Sequence, residues 1–404
     1  MGCIASVPAF DDGCSAAHQP TPNLPSPAAV RPITEGELFA ATAGFSAHRL
    51  LGEGGFGRVY QGVWADGTSV AVKVLDAGAS AFLQGPREFD VEVVVLSACA
   101  GHRHIVPLLG VCSEPGGVLA SVLAHAAGGS LRSALSEEGR PFTWAARLGA
   151  AAGAAAGLAH LHALGWAHGD VSSGNVLLAA SGEAWLSDFG LARWVGGGGG
   201  GGEAGAEEGE EAPTPPRGAW AYLAPELLVG GGGRGGGDPA PAPAPAPATS
   251  TPTPDGRATH PADVWALGVV FLELLTGEGA GGRAPLAGRL RQALEGGRLL
   301  SRLDPRLFKP SGEGPPALQA AALAEAIEGC LSLDPTARPT AAAVARYLAK
   351  AVSSGGGRGD GDGGGCVRRA GDVAAPPIRP VASHSLMDAV TALDGGDPSG
   401  NPFV

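Results

Sequence analysis

Apolar positions along this chain change their period several times, and each change marks an element. Val59 to Trp64 and Ser69 to Leu75 read as two strands joined by a tight Asp66-Gly67 turn. Arg87 to Leu96 carries an apolar run among charges and predicts a helix, while His104 to Cys112 reads as a core strand with Cys112 as a packed thiol. Ile33 to Ser46 predicts a short helix, with Thr34 as its cap, Glu37 three residues on and apolar residues at helical spacing. Ala145 to Leu164 is rich in Ala and Leu and long enough for a buried helix. A second one is predicted from Asp263 to Gly277, too short and too charged at its ends to span a membrane. Two three-residue runs, Val176–Leu178 and Ala184–Leu186, are parted by a turn-like Ala-Ser-Gly-Glu and predict a small hairpin.

Composition adds three constraints. The 404 residues can bury a large core, yet the 68 glycines and 34 prolines are clumped, which predicts a globular domain interrupted by disordered inserts. A net charge of −12 argues against a nucleic-acid surface, because such surfaces gain affinity from Lys and Arg on phosphates. The six cysteines show neither paired nor metal-type spacing and fit a reducing cytosol. The opening Met-Gly-Cys-Ile-Ala-Ser matches the N-myristoylation pattern at Gly2, with Cys3 placed for palmitoylation. No apolar signal-peptide region follows, and residues 7–32 read as a flexible tether. An otherwise soluble chain attached to the cytoplasmic face of a membrane, in all expectation the plasma membrane, is the reading this supports.

The candidate chemistry lies in two places. Gly52-Glu53-Gly54-Gly55-Phe56-Gly57 precedes a strand, turn and strand, so the glycines cap a hairpin. A dinucleotide-binding turn needs a helix straight after the glycines and is a remote second reading. Trp166 to Trp194 then contains His168-Gly169-Asp170, Asn175 and Asp188-Phe189-Gly190, with the predicted hairpin between Asn175 and Asp188. Phosphoryl transfer from ATP needs a carboxylate to orient the acceptor hydroxyl and oxygen ligands for Mg²⁺ on the phosphates. Asp170 can be the first, and Asn175 with Asp188 the second.

These residues resemble the catalytic and metal loops of a eukaryotic protein kinase, and the glycine loop and Val-Ala-Val-Lys73 resemble its nucleotide lobe. Ile33–Ser46 and His104–Cys112 are similar to the plant-type receptor-like cytoplasmic kinases of the receptor-like/Pelle group. The resemblance covers roughly residues 33–350 and implies an α+β fold, with a small β-rich lobe over about 33–123 and a larger helical lobe over about 127–350. It implies that Lys73 and Glu92 position ATP, with Glu88 the runner-up partner for the lysine, and that Asp170 is catalytic. The nucleotide would be held by residues 52–57, Val59, Ala71, Lys73, Leu123, Ala126, Asn175, Leu177 and Asp188, and Mg²⁺ by Asn175 and Asp188. Arg338 would pair with Glu226 of the Ala-Pro-Glu motif, and Asp263 would support the catalytic loop from beneath. Protein substrates and a membrane receptor are the partners implied. Residues 1–32, the inserts 196–211 and 230–254, and the tail 351–404 are expected to be disordered.

The chain departs from that family at three positions. Gly169 stands where most members have Arg, Ser172 where Ser/Thr kinases have a phosphate-contacting Lys with no replacement nearby in the sequence, and Ala219 where a Thr is usual. A slow Ser/Thr kinase is therefore expected. Thr214, the one hydroxyl between Asp188 and Glu226 besides Tyr222, has lost the arginine that would receive its phosphate. The alternatives are a pseudokinase scaffold that binds nucleotide or a receptor without transferring phosphate, and an adaptor working through its acidic and Pro-rich inserts.

Overall fold

The computed structural model describes residues 30–54, 57–75, 84–114, 117–136, 142–195, 219–228, 259–282 and 284–354, without the side chains of 84–86 and 219. Gly2, Cys3, Gly55, Phe56, Thr214 and both inserts lie outside these residues, as does the tail beyond 354.

Among the described residues the first part of the chain forms helix α1 (Glu35–Ala41), strands β1 (Leu50–Gly54), β2 (Gly57–Val63) and β3 (Ser69–Val74), helix α2 (Gln84–Ala98), and strands β4 (Leu108–Ser113) and β5 (Leu119–Ala124). The strands pair antiparallel in the order β1-β2-β3-β5-β4. The predicted capping box closes α1: Thr34 Oγ1 accepts from the Glu37 N–H at 3.2 Å, and Glu37 Oε2 accepts from the Thr34 N–H at 2.9 Å. At the Asp66-Gly67 turn Gly67 takes φ 86°, a conformation an L side chain resists. Ile33, Leu38, Val70, Val72, Cys112, Ala120 and Val122 pack as the core of this sheet, with Cys112 fully buried as expected.

Two boundaries differ from expectation. Strand β4 begins at Leu108 rather than His104, because Pro107 has no N–H for a ladder, although its carbonyl still accepts from Ala124. The folded part also starts earlier than residue 33: the Val111 N–H donates to Arg31 O, and Pro32 bridges Val111 alongside β4.

The larger part is mostly helical. It holds α3 (Leu131–Ser136), α4 (Trp144–Ala163), the short strands β6 (Trp166–Ala167), β7 (Val176–Leu178), β8 (Ala184–Leu186) and β9 (Arg193–Trp194), α5 (Pro225–Leu228), α6 (His260–Thr276), α7 (Leu286–Arg289), α8 (Arg291–Glu295), α9 (Ala317–Cys330) and α10 (Ala341–Ser354). Both predicted buried helices form within a few residues of their expected bounds. Helix α6 is capped by Thr259 at its start and ends at Gly277, whose φ of 69° favours glycine and where a Cβ would lie 2.1 Å from Asp304 Oδ2. Nearly all of α6 is buried, with α4 and α9 packed against it and α10 packed in turn on α4 and α9. Small residues on α4 let the β7–β8 hairpin come close: a Cβ on Gly153 would lie 3.2 Å from Ala184 Cβ.

Candidate active site

The β7–β8 hairpin forms in the register its two apolar runs imply, Val176 opposite Leu186 and Leu178 opposite Ala184. It holds Asn175 at one end and Asp188 at the other. The Ser187 N–H and hydroxyl both donate to Asn175 O at 2.9 Å, which ties the two ends together. Asp188 takes φ 64° and Gly169 φ 82°. A left-handed Asp is costly and persists only where its surroundings enforce it, as they do here through Lys73. At Gly169 the same geometry suits glycine at no steric cost, a local reason for the residue in place of Arg.

Strand β3 delivers Lys73 into the cleft and α2 delivers Glu92 to meet it. Lys73 Nζ donates to Glu92 Oε1 at 2.9 Å and to Asp188 Oδ1 at 2.7 Å. Glu92 is buried and its second oxygen accepts from Ser121 Oγ at 3.3 Å. Glu88, one turn earlier, makes no such ion pair; burial pushes its carboxyl up to about 7. Burial pulls the Lys73 ammonium down, but Asp188 and Glu92 outweigh it and hold it above its ordinary value. The Asp188 carboxyl is disfavoured by burial yet held below its ordinary value by Lys73. Glu92 stays raised because its burial is complete.

Facing this triad, Asn175 Nδ2 donates both to Asp170 Oδ2 and to Asp170 O, each at 2.8 Å. Burial, then the Asp188 charge, raises the Asp170 carboxyl to about 6, where it is ionised at neutral pH but remains basic enough to take a proton. His168 is fully buried, and burial keeps it neutral. The Asp170 N–H donates to its Nδ1 at 3.2 Å, which leaves Nε2 to donate to Ser187 O at 3.1 Å. Beneath the loop, Asp263 of α6 accepts from the His168 and Gly169 N–H groups at 2.7 and 2.9 Å. His162 Nε2 lies 2.9 Å from the same carboxylate. This is the support expected of Asp263.

Of the residues expected on the nucleotide side, the described ones lie mostly on neighbouring strands of the sheet. Val59 lies opposite Lys73, and Ala71 lies opposite Leu123. Ala126 follows β5, and Leu177 bridges Ser130 beneath that crossing. Gly52 and Gly54 have open space where a Cβ would stand, and Gly57 has none to spare, since a Cβ would reach 2.0 Å from Val74 O. The donor set fits Mg-ATP: an ammonium buried between two carboxylates, a carboxylate at Asp188, and an Asn175 whose amide nitrogen is used on Asp170, which leaves its oxygen for a hard cation.

On the other side of Asp170, the closing motif is anchored twice. Arg338 donates to both oxygens of Glu226 at 2.7 and 2.8 Å, as expected, and stacks 5.1 Å over Trp265. Tyr222 donates to Glu273 Oε2 at 2.9 Å and meets Ser173 Oγ at 3.0 Å. Tyr222, with Asp170, Val171, Leu223 and Leu227, lines a cavity of about 90 Å³.

A lysine from the sheet joined to a glutamate from α2 and to the loop carboxylate of Asp188, with Asn175 and the Asp170 carboxylate facing them, is the arrangement a kinase fold implies, and a profile of the protein kinase domain matches residues 45–348. The chain belongs to the protein kinase family. Its relatives include proline-rich receptor-like protein kinase PERK8 of Arabidopsis thaliana, 36% identical over 77% of this chain and 42% of the relative. PERK7 of the same plant is 36% identical over 61% of this chain and 30% of the relative. The receptor-like serine/threonine-protein kinase ALE2, also from Arabidopsis, is 38% identical over 61% of this chain and 28% of the relative. The kinase thus spans less than half the length of these relatives. Its likeness to plant receptor-like kinases agrees with the resemblance at Ile33–Ser46 and His104–Cys112.

Sequence reasoning missed two participants. Glu273 was read only as part of an apolar helix, whereas its buried carboxylate accepts from Tyr222 and from the Ala280 N–H at 2.8 Å. A charge inside α6 was the available signal. Arg132 was missed altogether: it brings a cation against Gly174, two residues from Ser172. The second residue of α3 donates its backbone N–H to Ser173 O at 2.9 Å and lays its guanidinium on Gly174 of the catalytic loop. No local signal in the sequence reveals that approach.

Proposed function

We propose that this chain is an ATP- and Mg²⁺-dependent protein kinase that phosphorylates Ser or Thr of protein substrates, and that it works in signalling at the cytoplasmic face of a membrane. The observation that carries the reading is Lys73 joined to both Glu92 and Asp188, with Asp170 and Asn175 paired opposite them. Lys73 would hold the nucleotide phosphates, and Asn175 with Asp188 would hold Mg²⁺, which supplies charge neutralisation on those phosphates when bound. Asp170 would accept the proton of the acceptor hydroxyl as its oxygen forms the new bond to phosphorus and the bond to ADP breaks. The Asn175 amide keeps that carboxylate turned to the acceptor.

Membrane attachment would rest on acylated Gly2 and Cys3, since a single myristoyl chain binds only marginally, with a constant of about 10⁴ M⁻¹. Among the described residues no helix is long and apolar enough to cross a membrane. A receptor that presents substrates to a kinase held there is the partner this reading implies.

Labelled-ATP phosphorylation by wild type beside Asp170→Asn tests the activity: wild type should label itself or a protein substrate and the variant should not. Mg-ATP should also raise the melting temperature, by the equivalent of roughly 2.7 kcal/mol at a ligand concentration of 100 Kd. Wild type without turnover above the variant, yet with that thermal shift, would mark a scaffold. Absence of both would remove nucleotide binding as well.

A further inference from the structure

The two sides of Asp170 carry different charges. Toward the nucleotide stand Lys73, Asn175 and Asp188. Toward the closing motif stand Tyr222, Ser173 and the cavity beside them, and this is the side from which an acceptor segment must present its hydroxyl. Glu273 lies on that side too, but it is buried and its oxygens are taken by Tyr222 and Ala280. Among the described residues, the charge left at the surface there is Arg132.

Its position is built rather than incidental. Helix α3 is tied to the catalytic loop by the bond from the Arg132 N–H to Ser173 O, which sets the root of the side chain. The guanidinium then lies flat on Gly174, where a Cβ would come within 3.3 Å of its Cζ and Nη2 and 3.4 Å of Nη1. A Cβ at 174 would require the guanidinium to give by a few tenths of an ångström, so the glycine lets the cation lie this close. The positive charge is felt by Tyr222, Glu273 and Asp170, all of which it favours in their ionised forms. Arg132 itself is exposed, and therefore open to a partner arriving from solvent.

We propose that Arg132 is a specificity-determining residue of the acceptor face, drawing in protein segments with a carboxylate beside the Ser or Thr hydroxyl and turning away segments with Lys or Arg there. The proposal rests on the kinase reading above and names the substrate class for it. A guanidinium suits this task because its fixed fork pairs with both oxygens of a carboxylate. Exposed pairs are weak, so the selection should be about fivefold rather than absolute.

The test uses the full chain with matched Ser peptides that differ only in flanking Glu, Gln or Lys. Wild type should favour the Glu peptide over the Lys peptide in kcat/KM by about fivefold. Arg132→Ala should bring that ratio toward one, and Arg132→Glu should invert it, while the thermal shift with Mg-ATP stays as in wild type. If Arg132 only braces the loop, or serves the transferred phosphate, both variants would lower kcat on every peptide alike and leave the ratio unchanged, which overturns the proposal. A wild type that labels itself but shows no acidic preference among peptides removes this inference alone. One that labels nothing above Asp170→Asn removes the kinase reading and this inference with it.

Discussion

Replacing Asp170 by Asn should abolish phosphoryl transfer and, at neutral pH, make the protein more stable. Burial and the Asp188 charge raise the Asp170 carboxyl from 3.8 to about 6. In the unfolded chain it returns to its ordinary value near 3.9. Between about pH 4 and pH 6 the folded protein thus holds a proton that the unfolded chain has lost, and stability falls as pH rises through that window. Above it the full cost of a buried, ionised carboxylate is present, and below about pH 4 it is gone. The shift from 3.8 to about 6 corresponds to roughly 3 kcal/mol. Asparagine keeps an oxygen to accept from Asn175 Nδ2, now 2.8 Å from Asp170 Oδ2, so the loop retains its bonding. Urea unfolding of both proteins, without Mg²⁺ or nucleotide, should find Asp170→Asn ahead by about 2–3 kcal/mol near pH 7.5. The advantage should shrink toward zero near pH 4, where other titrating groups cancel between the two proteins. A variant less stable than wild type at pH 7.5, or an advantage that does not change with pH, would refute the argument.

The same carboxyl predicts an acid limb in kcat/KM with an apparent value of about 6, since the base must be ionised to act; a flat profile from pH 5 to 7 would contradict it. Lys73→Met leaves Glu92, 1% exposed, without its counter-ion, and should destabilise the fold by about 3–5 kcal/mol in urea, with Glu92→Gln in the same chain recovering part of the loss. Arg338→Ala should cost a similar 3–5 kcal/mol, because it leaves Glu226 unpaired and uncovers Trp265; a loss under about 1 kcal/mol would show the pair to be dispensable. Gly2→Ala should remove a C-terminal fluorescent fusion from the membrane rim, and Cys3→Ser should leave a partial, reversible association, as one acyl chain anchors weakly. Retention of the Gly2→Ala protein at the rim would exclude acylation as the anchor.

Much of the fold was legible because it is written in short-range pattern. The Thr34–Glu37 capping box, the Asp66-Gly67 turn, the Val176–Leu186 hairpin and helix α6 each depend on residues within a turn or a strand of one another. Part of the candidate site was legible for the same reason: Asn175 and Asp188 flank one short hairpin, and Asp170 stands five residues before Asn175. The partners Lys73, Glu92, Asp263 and Arg338 came from resemblance to a family, and the structure then supplied their contacts.

The sequence by itself therefore determined the elements, the α+β order and the groups able to bind and transfer a phosphoryl group. What only the tertiary structure decided is how distant side chains share one dielectric environment. Asp170 rises to about 6 because α6 and the hairpin bury it and bring the Asp188 charge near. Lys73 pairs with Glu92 rather than with Glu88, which also comes close enough to feel Lys73 and Asp188, and only the packing of α2 against the sheet decides between them. Gly169 takes a left-handed turn that the loop requires, which residue identity alone did not show. Arg132 reaches the catalytic loop only because α3 packs across it and Gly174 leaves room. Charge and burial act through space, and that distance is set by packing between elements, which no local pattern records.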